Sequence, residues 1–294
     1  MGDPGGLFGV TSAGRDGRVV QIVEAYLRRL GVAASPPSRD ALFALHRRHV
    51  ERVSWQSIDV FQGRTEPIGV EASMRLISAG RSGYCFHLNG GFGGLLTALG
   101  YDVKWHRAGV QSRGAPPVID GFHVSLTVTL DGAGWVVDVG LGDMPWEPLP
   151  LKVGRYPQGG LTYEVAPPSV SPTGWRLCHD PQAAFVGVDV DGAPVEWSAF
   201  LESHRHLSTS PQSPWVNLVV VRNRDETGSN ELKGCYFTRR DQGGVETRLV
   251  DSRSEWFDIL ADVFYEPLTD YDGPARELLW KKVAQKHEEW LAKR

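Results

Sequence analysis

The sequence has no excess of basic charge: 31 Lys and Arg stand against 35 Asp and Glu, a formal net charge of −4. Without a positive field a chain has no general hold on a phosphate backbone, so nucleic acid is not an expected partner. Cysteine is scarce. Cys85, Cys178 and Cys235 are an odd set with no repeated spacing, which argues against a disulfide framework and for a reducing compartment. No apolar run approaches bilayer length, and the opening MGDPGGLFGVTSAGRDGR lacks the apolar stretch of a secretory signal. Residue 6 is glycine where N-myristoylation requires Ser or Thr. No membrane partner and a cytoplasmic location are the expectations. No Gly-x-x-x-x-Gly-Lys segment cradles phosphates, and no Cys-x-x-Cys or His-x-x-x-His pair is spaced for zinc. Neither a bound cofactor nor a metal is therefore expected.

What is present is an ordinary globular composition, 41% hydrophobic and 22% charged over 294 residues, suited to one compact enzyme of two or three packed subdomains. Residues 1–18 read as a Gly-rich tail. Amphipathic helical spacing follows over 19–30 and again from Ser38, which is a good N-cap residue. Further helices are expected over 70–78 and 85–99, the last despite Gly90, Gly91, Gly93 and Gly94. Such glycines disfavour a helix unless close packing compensates.

The periodicity then changes from helical to alternating. In 122–131 Phe122, Val124, Leu126, Val128 and Leu130 face one way and His123, Ser125, Thr127 and Thr129 the other. A turn at 132–133 leads into a strand over 135–139. Short strands are expected over 102–106, 175–178, 185–189, 216–222, 234–240 and 245–250, and helices over 198–206, 254–264 and 275–292. The expected class is α+β: a helical part (19–104), a β-barrel (105–195) and an α/β lid (196–294).

Three residues carry candidate chemistry. Cys85 lies where a Gly-containing turn meets a helix start, and helix N-terminal N–H groups stabilise a thiolate below its ordinary pKa of about 8.5. His123 stands on the polar side of its strand. Asp138 is set among Val136, Val137 and Val139, and a carboxylate in a core strand requires a donor such as an imidazole. Hairpin parity puts 123 and 138 on one face. A turn at 132–133, however, separates them by roughly 13 Å along the strands, so a bulge, a sharp twist or another pairing is required. A thiolate, an imidazole and an orienting carboxylate form an acyl-transfer triad.

The run RSGYCFHLNG at 81–90 resembles the arylamine N-acetyltransferase signature Arg-Gly-Gly-aromatic-Cys-Phe-Glu-x-Asn. FHVSL and VVDVGLGD resemble that family's catalytic His strand and Asp-x-Gly-Phe-Gly strand. HVERVSWQSIDVFQGR resembles its Pro-Phe-Glu-Asn-Leu segment, and HLSTSPQSPWVN its Ser-Thr-x-Pro-x-Ser stretch. The resemblance runs from about residue 20 to 265. It implies a cysteine-protease-like catalytic core with Cys85 as nucleophile, His123 as base and Asp138 as orienter. It also implies acetyl-coenzyme A or another acyl thioester as co-substrate and an arylamine-type nitrogen as acceptor.

Arg81, Gln56 and Asn89 are then supports of the site, and Trp55 and Leu141 are substrate-facing positions. The departures are Ser82 for Gly, Gln56 for a Glu that would pair with Arg81, His87 for Glu, and Leu141 and Trp55 where Phe is common. The same family includes amide synthases that release or cyclise carrier-protein-bound chains, so an acyl carrier protein is the alternative donor. A thiol hydrolase and a non-catalytic binding protein are the remaining readings.

Overall fold

A computed structural model describes residues 12–292, with side chains described from residue 17. Residues 1–11 of the expected tail lie outside the described residues. The rest of that tail belongs to helix α1 (Ser12–Leu30), which starts earlier than the apolar spacing indicates. α2 (Arg39–Arg52) follows, with Ser38 in extended backbone accepting from Ala41 N–H at 3.2 Å. A two-residue strand β1 (Trp55–Gln56), the short α3 (Ile58–Phe61), α4 (Val70–Ser78) and α5 (Cys85–Ala98) complete the N-terminal third. The glycines of α5 are places of close approach. A Cβ at Gly91 would lie 2.6 Å from Ile77 Cδ1 on α4, and one at Gly90 2.6 Å from the Trp197 ring. Packing of α4 on α5 thus compensates for poor intrinsic helicity.

The middle of the chain forms β2 (Asp102–Gln111), β3 (His123–Leu130), β4 (Ala133–Val136), β5 (Leu149–Pro150), β6 (Gly154–Gln158), β7 (Leu161–Ala166), β8 (Gly174–Cys178) and β9 (Gly187–Pro194). These make one antiparallel sheet in the order β5-β4-β3-β2-β9-β8-β7-β6, curled into a nearly closed barrel. Both faces of β3 are buried from His123 to Thr127. Val124, Leu126 and Val128 pack into the helical core with Leu88 and Phe92 of α5. The polar side turns into the barrel, where His106 bonds Thr127 at 2.9 Å. Phe122, expected on the apolar face, is instead 38% exposed at the strand's start.

Beyond a 3₁₀ turn at Trp197–Phe200 come α6 (Leu201–Thr209), α7 (Pro214–Asn217), β10 (Val220–Arg224), β11 (Gly228–Lys233), β12 (Tyr236–Asp241), β13 (Gly244–Leu249), α8 (Arg253–Asp262) and α9 (Gly273–Leu291). The strand expected over 216–222 starts at Val220. Pro214, at the first helical position, and the Ser213 hydroxyl, accepting from Trp215 N–H, turn 214–217 into a helix. The second sheet runs β1-β10-β11-β12-β13, all antiparallel. Its first strand comes from the helical third, so the sheet reaches across to the segment that precedes Cys85. A separate apolar core of Phe61, Val221, Leu232, Trp256, Leu260 and Phe264 supports it. Among the described residues no helix is long and apolar enough to cross a membrane.

Candidate active site

Cys85 is the first residue of α5, capped by Tyr84 in extended backbone. The turn before it is held from several sides. Trp55 forms a parallel bridge with Gly83, and Gln56 N–H donates to Gly83 O at 2.8 Å. Gln56 Nε2 donates to Ser82 O at 3.0 Å, and the Ser82 hydroxyl donates to the buried Glu266 carboxylate, which also accepts from Ser54 Oγ at 3.0 Å. The strand–turn–helix geometry is therefore anchored in both the second sheet and the C-terminal segment.

Arg81 does not bond Gln56. Its guanidinium bonds Asp59 at 2.8 Å and Glu66 at 2.7 Å. The Gln56 amide oxygen accepts from the N–H groups of Ile58 and Asp59 at the start of α3, while its Nε2 holds Asp59 at 2.9 Å. The negative charge absent from position 56 is supplied by Asp59, three residues along. His87 is buried with Nε2 3.1 Å from Glu66 O, behind the turn. Burial drives its pKa down to about 4, so it is neutral and no substitute for a carboxylate.

His123 opens β3, and Asp138 follows β4 closely enough to meet it. Nε2 of His123 and Oδ2 of Asp138 are 2.8 Å apart, and both side chains are almost fully buried. The register explains how. Leu130 pairs with Ala133 and Thr127 with Val136, so the turn is Asp131–Gly132, not 132–133. Asp131 (φ 51) and Gly132 (φ 75) are both left-handed, as a two-residue hairpin of this hand demands. The one-residue shift puts Asp138 diagonally across from His123, two positions from directly opposite. No bulge is needed.

Asp138 is itself held by two donors. Asn89 Nδ2, one turn along α5 from Cys85, reaches Oδ1 at 2.8 Å, and Gly140 N–H reaches the same oxygen at 2.9 Å. Asn89 Oδ1 in turn accepts from Val139 N–H at 3.0 Å. Burial alone would raise the Asp138 pKa, but His123, Asn89 and Gly140 together hold it below the usual carboxylate range. Asp138 is thus an ionised acceptor, and His123 donates to it through Nε2. The other ring nitrogen, Nδ1, has no hydrogen-bond partner among the described residues.

Cys85 and His123 line one cavity of about 1410 Å³. Cys85 Sγ lies 3.6 Å from Phe122 O. Burial, then the Asp138 carboxylate, push the thiol well above its ordinary pKa, and the N–H groups of Phe86 and Cys85 pull it back by less. The lowering expected from the helix start is present but outweighed. The Cys85 thiol and His123 Nδ1 share the cavity without a hydrogen bond between them.

Trp55 and Leu141, both buried, line the same cavity, Trp55 edge-on to Trp215 with ring centroids 4.8 Å apart. Sequence reasoning passed over Phe185, Trp215 and Arg222, which also line it. Arg222 carried a signal: a cation ends the apolar run LVVVR, just where a core strand would be expected to continue. Glu266 carried none, since its partners are 184 and 212 residues away.

A family model described as N-acetyltransferase matches residues 39–270. Arylamine N-acetyltransferase of Mycolicibacterium smegmatis is 30% identical over 271 residues, covering 84% of this chain and 93% of that protein. Proansamycin X synthase of Amycolatopsis mediterranei is 33% identical over 151 residues, 49% of this chain and 57% of the synthase. The chain spans about half the length of several curated relatives it matches, between 44% and 57% of theirs. The solved structure of Mycobacterium marinum arylamine N-acetyltransferase in complex with CoA superposes with a TM-score of 0.81 at 24% identity, covering 90% of this chain and 98% of that one. That likeness establishes the fold. With the family model matched over residues 39–270 and a 30% identical relative covering 84% of the chain and 93% of its own length, the chain belongs to the arylamine N-acetyltransferase family.

Proposed function

We propose that this chain transfers an acyl group from coenzyme A to an arylamine-type nitrogen through a Cys85 thioester. The observation that carries the reading is a buried imidazole with one nitrogen on a carboxylate and the other without a partner, in a residue that lines the same cavity as the Cys85 thiol. In the first half-reaction the Cys85 proton moves to His123 Nδ1 and the thiolate attacks the thioester carbonyl. The N–H groups at the start of α5 are the donors nearest the developing oxyanion. Collapse expels the coenzyme thiolate, which takes the proton back from imidazolium. In the second half-reaction the amine attacks the acyl-enzyme, His123 removes its proton, and Cys85 leaves as thiolate, regaining that proton. Asp138 holds the ring and stabilises imidazolium without taking the proton. Weakly basic amines suit such a site because they are uncharged at neutral pH. Asn89 positions Asp138, Arg81 and Gln56 brace the turn through Asp59, and Trp55 and Leu141 bound the acceptor space.

The donor class rests on the family and on the CoA complex of the M. marinum relative. Cytoplasmic residence is the compartment in which thioesters and three unpaired cysteines coexist. The organisation proposed with this function is helical to residue 104, barrel to 195 and lid beyond.

A second reading has its own support. The cavity extends from the thiol over β11–β13 to Lys286 and Trp290 of α9, more room than a small amine needs. A relative is named proansamycin X synthase. On this reading the donor is a long acyl chain on a carrier protein. Intact-protein mass after exposure to acetyl-CoA, to long-chain pantetheine thioesters and to acyl carrier protein separates the two. A gain of one acetyl group on Cys85, discharged by an arylamine, supports the first reading. Charging only by long chains supports the second. Rapid discharge by water alone supports a hydrolase, and no charging by any thioester would overturn acyl transfer.

A further inference from the structure

Behind the turn that leads into Cys85, a buried carboxylate meets hydroxyls that the chemistry itself does not require. Glu266 follows α8 in a segment whose backbone twice enters the left-handed region, at Tyr265 (φ 55) and Leu268 (φ 47), neither of them glycine. Bulky residues hold that conformation only where their surroundings enforce it. Here it leaves Tyr265 exposed and buries Glu266.

Oε1 of Glu266 accepts from the Ser82 hydroxyl and from Ser54 Oγ at 3.0 Å, and Arg29 Nη2 of α1 lies 3.9 Å from it. In the motifs that this chain resembles, proline stands in the place of Ser54 and glycine in that of Ser82. Neither has a hydroxyl, so two departures from those motifs converge on one acid. What they hold is the catalytic turn. Ser82 lies three residues before Cys85, and its carbonyl accepts from Gln56 Nε2 at 3.0 Å. Arg29 Nη1 bonds the carbonyl of Arg81, one residue earlier, and that of Ile77 at 2.8 Å. Gly83, one residue later, packs against His87, whose Nδ1 would lie 2.6 Å from a Cβ there.

We infer that Glu266 is a positioning residue for the nucleophile: through the Ser54 and Ser82 hydroxyls its carboxylate sets the turn that aims the Cys85 thiol and the first N–H groups of α5. The inference rests on the proposed acyl transfer, and Glu266 acts through its partners rather than on the reacting atoms. Ionised, it accepts charge-assisted bonds from both hydroxyls and faces the Arg29 cation. Protonated, it carries a donor where an acceptor was needed, and the turn is held less firmly. Asp59 of α3 opposes the ionisation, and is itself paired with Arg81 at 2.8 Å and Arg64 at 3.3 Å. Burial raises the Glu266 pKa to about 7, which brings the change close to neutral pH.

The test uses the full chain. Cys85 alkylation by limiting iodoacetamide and acyl-enzyme formation from acetyl-CoA are followed from about pH 5.5 to about pH 8.5 in the wild type, Glu266→Gln, Ser82→Ala and the double variant. Titration of His123 is common to all four, so the ratio to wild type isolates Glu266. At about pH 8.5, Glu266→Gln should acylate roughly tenfold to a hundredfold more slowly than wild type, through kcat, with KM for acetyl-CoA nearly unchanged. At about pH 5.5 the wild-type carboxyl is also neutral, and the two rates should converge. Ser82→Ala should move the wild-type step to higher pH, because the carboxylate loses a donor that favours its charge. The double variant should be no slower than Glu266→Gln, since both substitutions break one link. Thermal denaturation at each pH checks the folds, and if Glu266→Gln does not fold, the Ser82→Ala shift decides alone. A constant ratio of wild type to Glu266→Gln across the range, or an unmoved step in Ser82→Ala, overturns the inference. If the wild type forms no acyl-enzyme, the proposed function falls, and the alkylation profiles still decide the role of Glu266.

Discussion

Asp138→Asn is the most informative single change, because the surrounding donors determine which way the new amide faces. In the wild type one carboxylate oxygen accepts from His123 Nε2 at 2.8 Å, while the other accepts from Asn89 Nδ2 at 2.8 Å and Gly140 N–H at 2.9 Å. An amide keeps only one oxygen. If that oxygen faces His123, the new NH2 group confronts two donors, forfeiting two buried hydrogen bonds of about 1 kcal/mol each and adding the cost of unpaired donors. If it faces Asn89 and Gly140, both bonds survive and the NH2 group points at Nε2. The second placement wins. Nε2 must then accept, so the imidazole proton moves to Nδ1, the nitrogen needed to receive the Cys85 proton. The variant folds but holds the wrong tautomer and lacks the charge that stabilises imidazolium. A loss of about 10³–10⁴ in the acylation rate is expected, about 4–5.5 kcal/mol of barrier, by analogy with the same change in a serine protease triad. Rapid-quench measurement of acyl-enzyme formation, with circular dichroism for the fold, provides the check. Acylation within about tenfold of wild type in a folded Asp138→Asn protein would refute the tautomer argument and remove Asp138 from the triad. Asp138→Ala should melt lower than Asp138→Asn, since it leaves the Asn89 and Gly140 donors unpaired.

Limiting iodoacetamide should modify Cys85 before Cys178 and Cys235, and His123→Gln should abolish that preference, because burial raises the thiol and, in the proposed mechanism, the imidazole takes its proton. Peptide mapping reads the order, and earlier labelling of either other cysteine counts against the nucleophile. Leu141→Phe should shift acceptor selectivity toward small planar amines by an amount of about 1–3 kcal/mol, with acylation nearly unchanged. Equal responses of a small and a bulky amine in kcat/KM would remove Leu141 from the acceptor space. Glu266 is fully enclosed, and burial raises its pKa to about 7 against the relief given by Arg29, Ser82 and Ser54. A raised acid binds its proton more tightly folded than unfolded, so this group's contribution is greatest below the unfolded value near 4.5. It is lost as pH rises toward 7, by up to about 3 kcal/mol. Urea denaturation at about pH 5 and about pH 8 should therefore show a smaller loss of stability in Glu266→Gln than in wild type, and parallel pH profiles would contradict the assignment.

Much of the site was legible because its signals are local. A cysteine between a glycine turn and a helical run, an imidazole on an alternating strand, and a carboxylate among valines are each readable within about ten residues. Parity alone put His123 and Asp138 on one side of a hairpin. The exact turn was not so readable. Placing it at 132–133 rather than Asp131–Gly132 moved the two residues apart by two further positions, although Asp-Gly flanked by alternating hydrophobics is itself a turn signal. The edge strand β6, its neighbour β7, and β11 were missed. Their sequences carry glycine, proline and charge, and they are strands because neighbours supply their hydrogen bonds.

The sequence by itself determined the element types at Cys85 and His123, their order and the facing of His123, because helix and strand periods are properties of the chain; Asp138, expected in a strand over 135–139, instead lies two residues past the end of β4. Only the tertiary structure decided what each side chain meets. Gln56 is spent on α3, so Arg81 pairs with Asp59 and Glu66. Ser82 reaches a carboxylate 184 residues away, and Arg222 arrives beside Trp55 from a distant strand. It also decided that burial outweighs the helix start at Cys85. These outcomes depend on desolvation and on which distant donors converge on one buried point, quantities that exist only after the sheets and helices have closed around it.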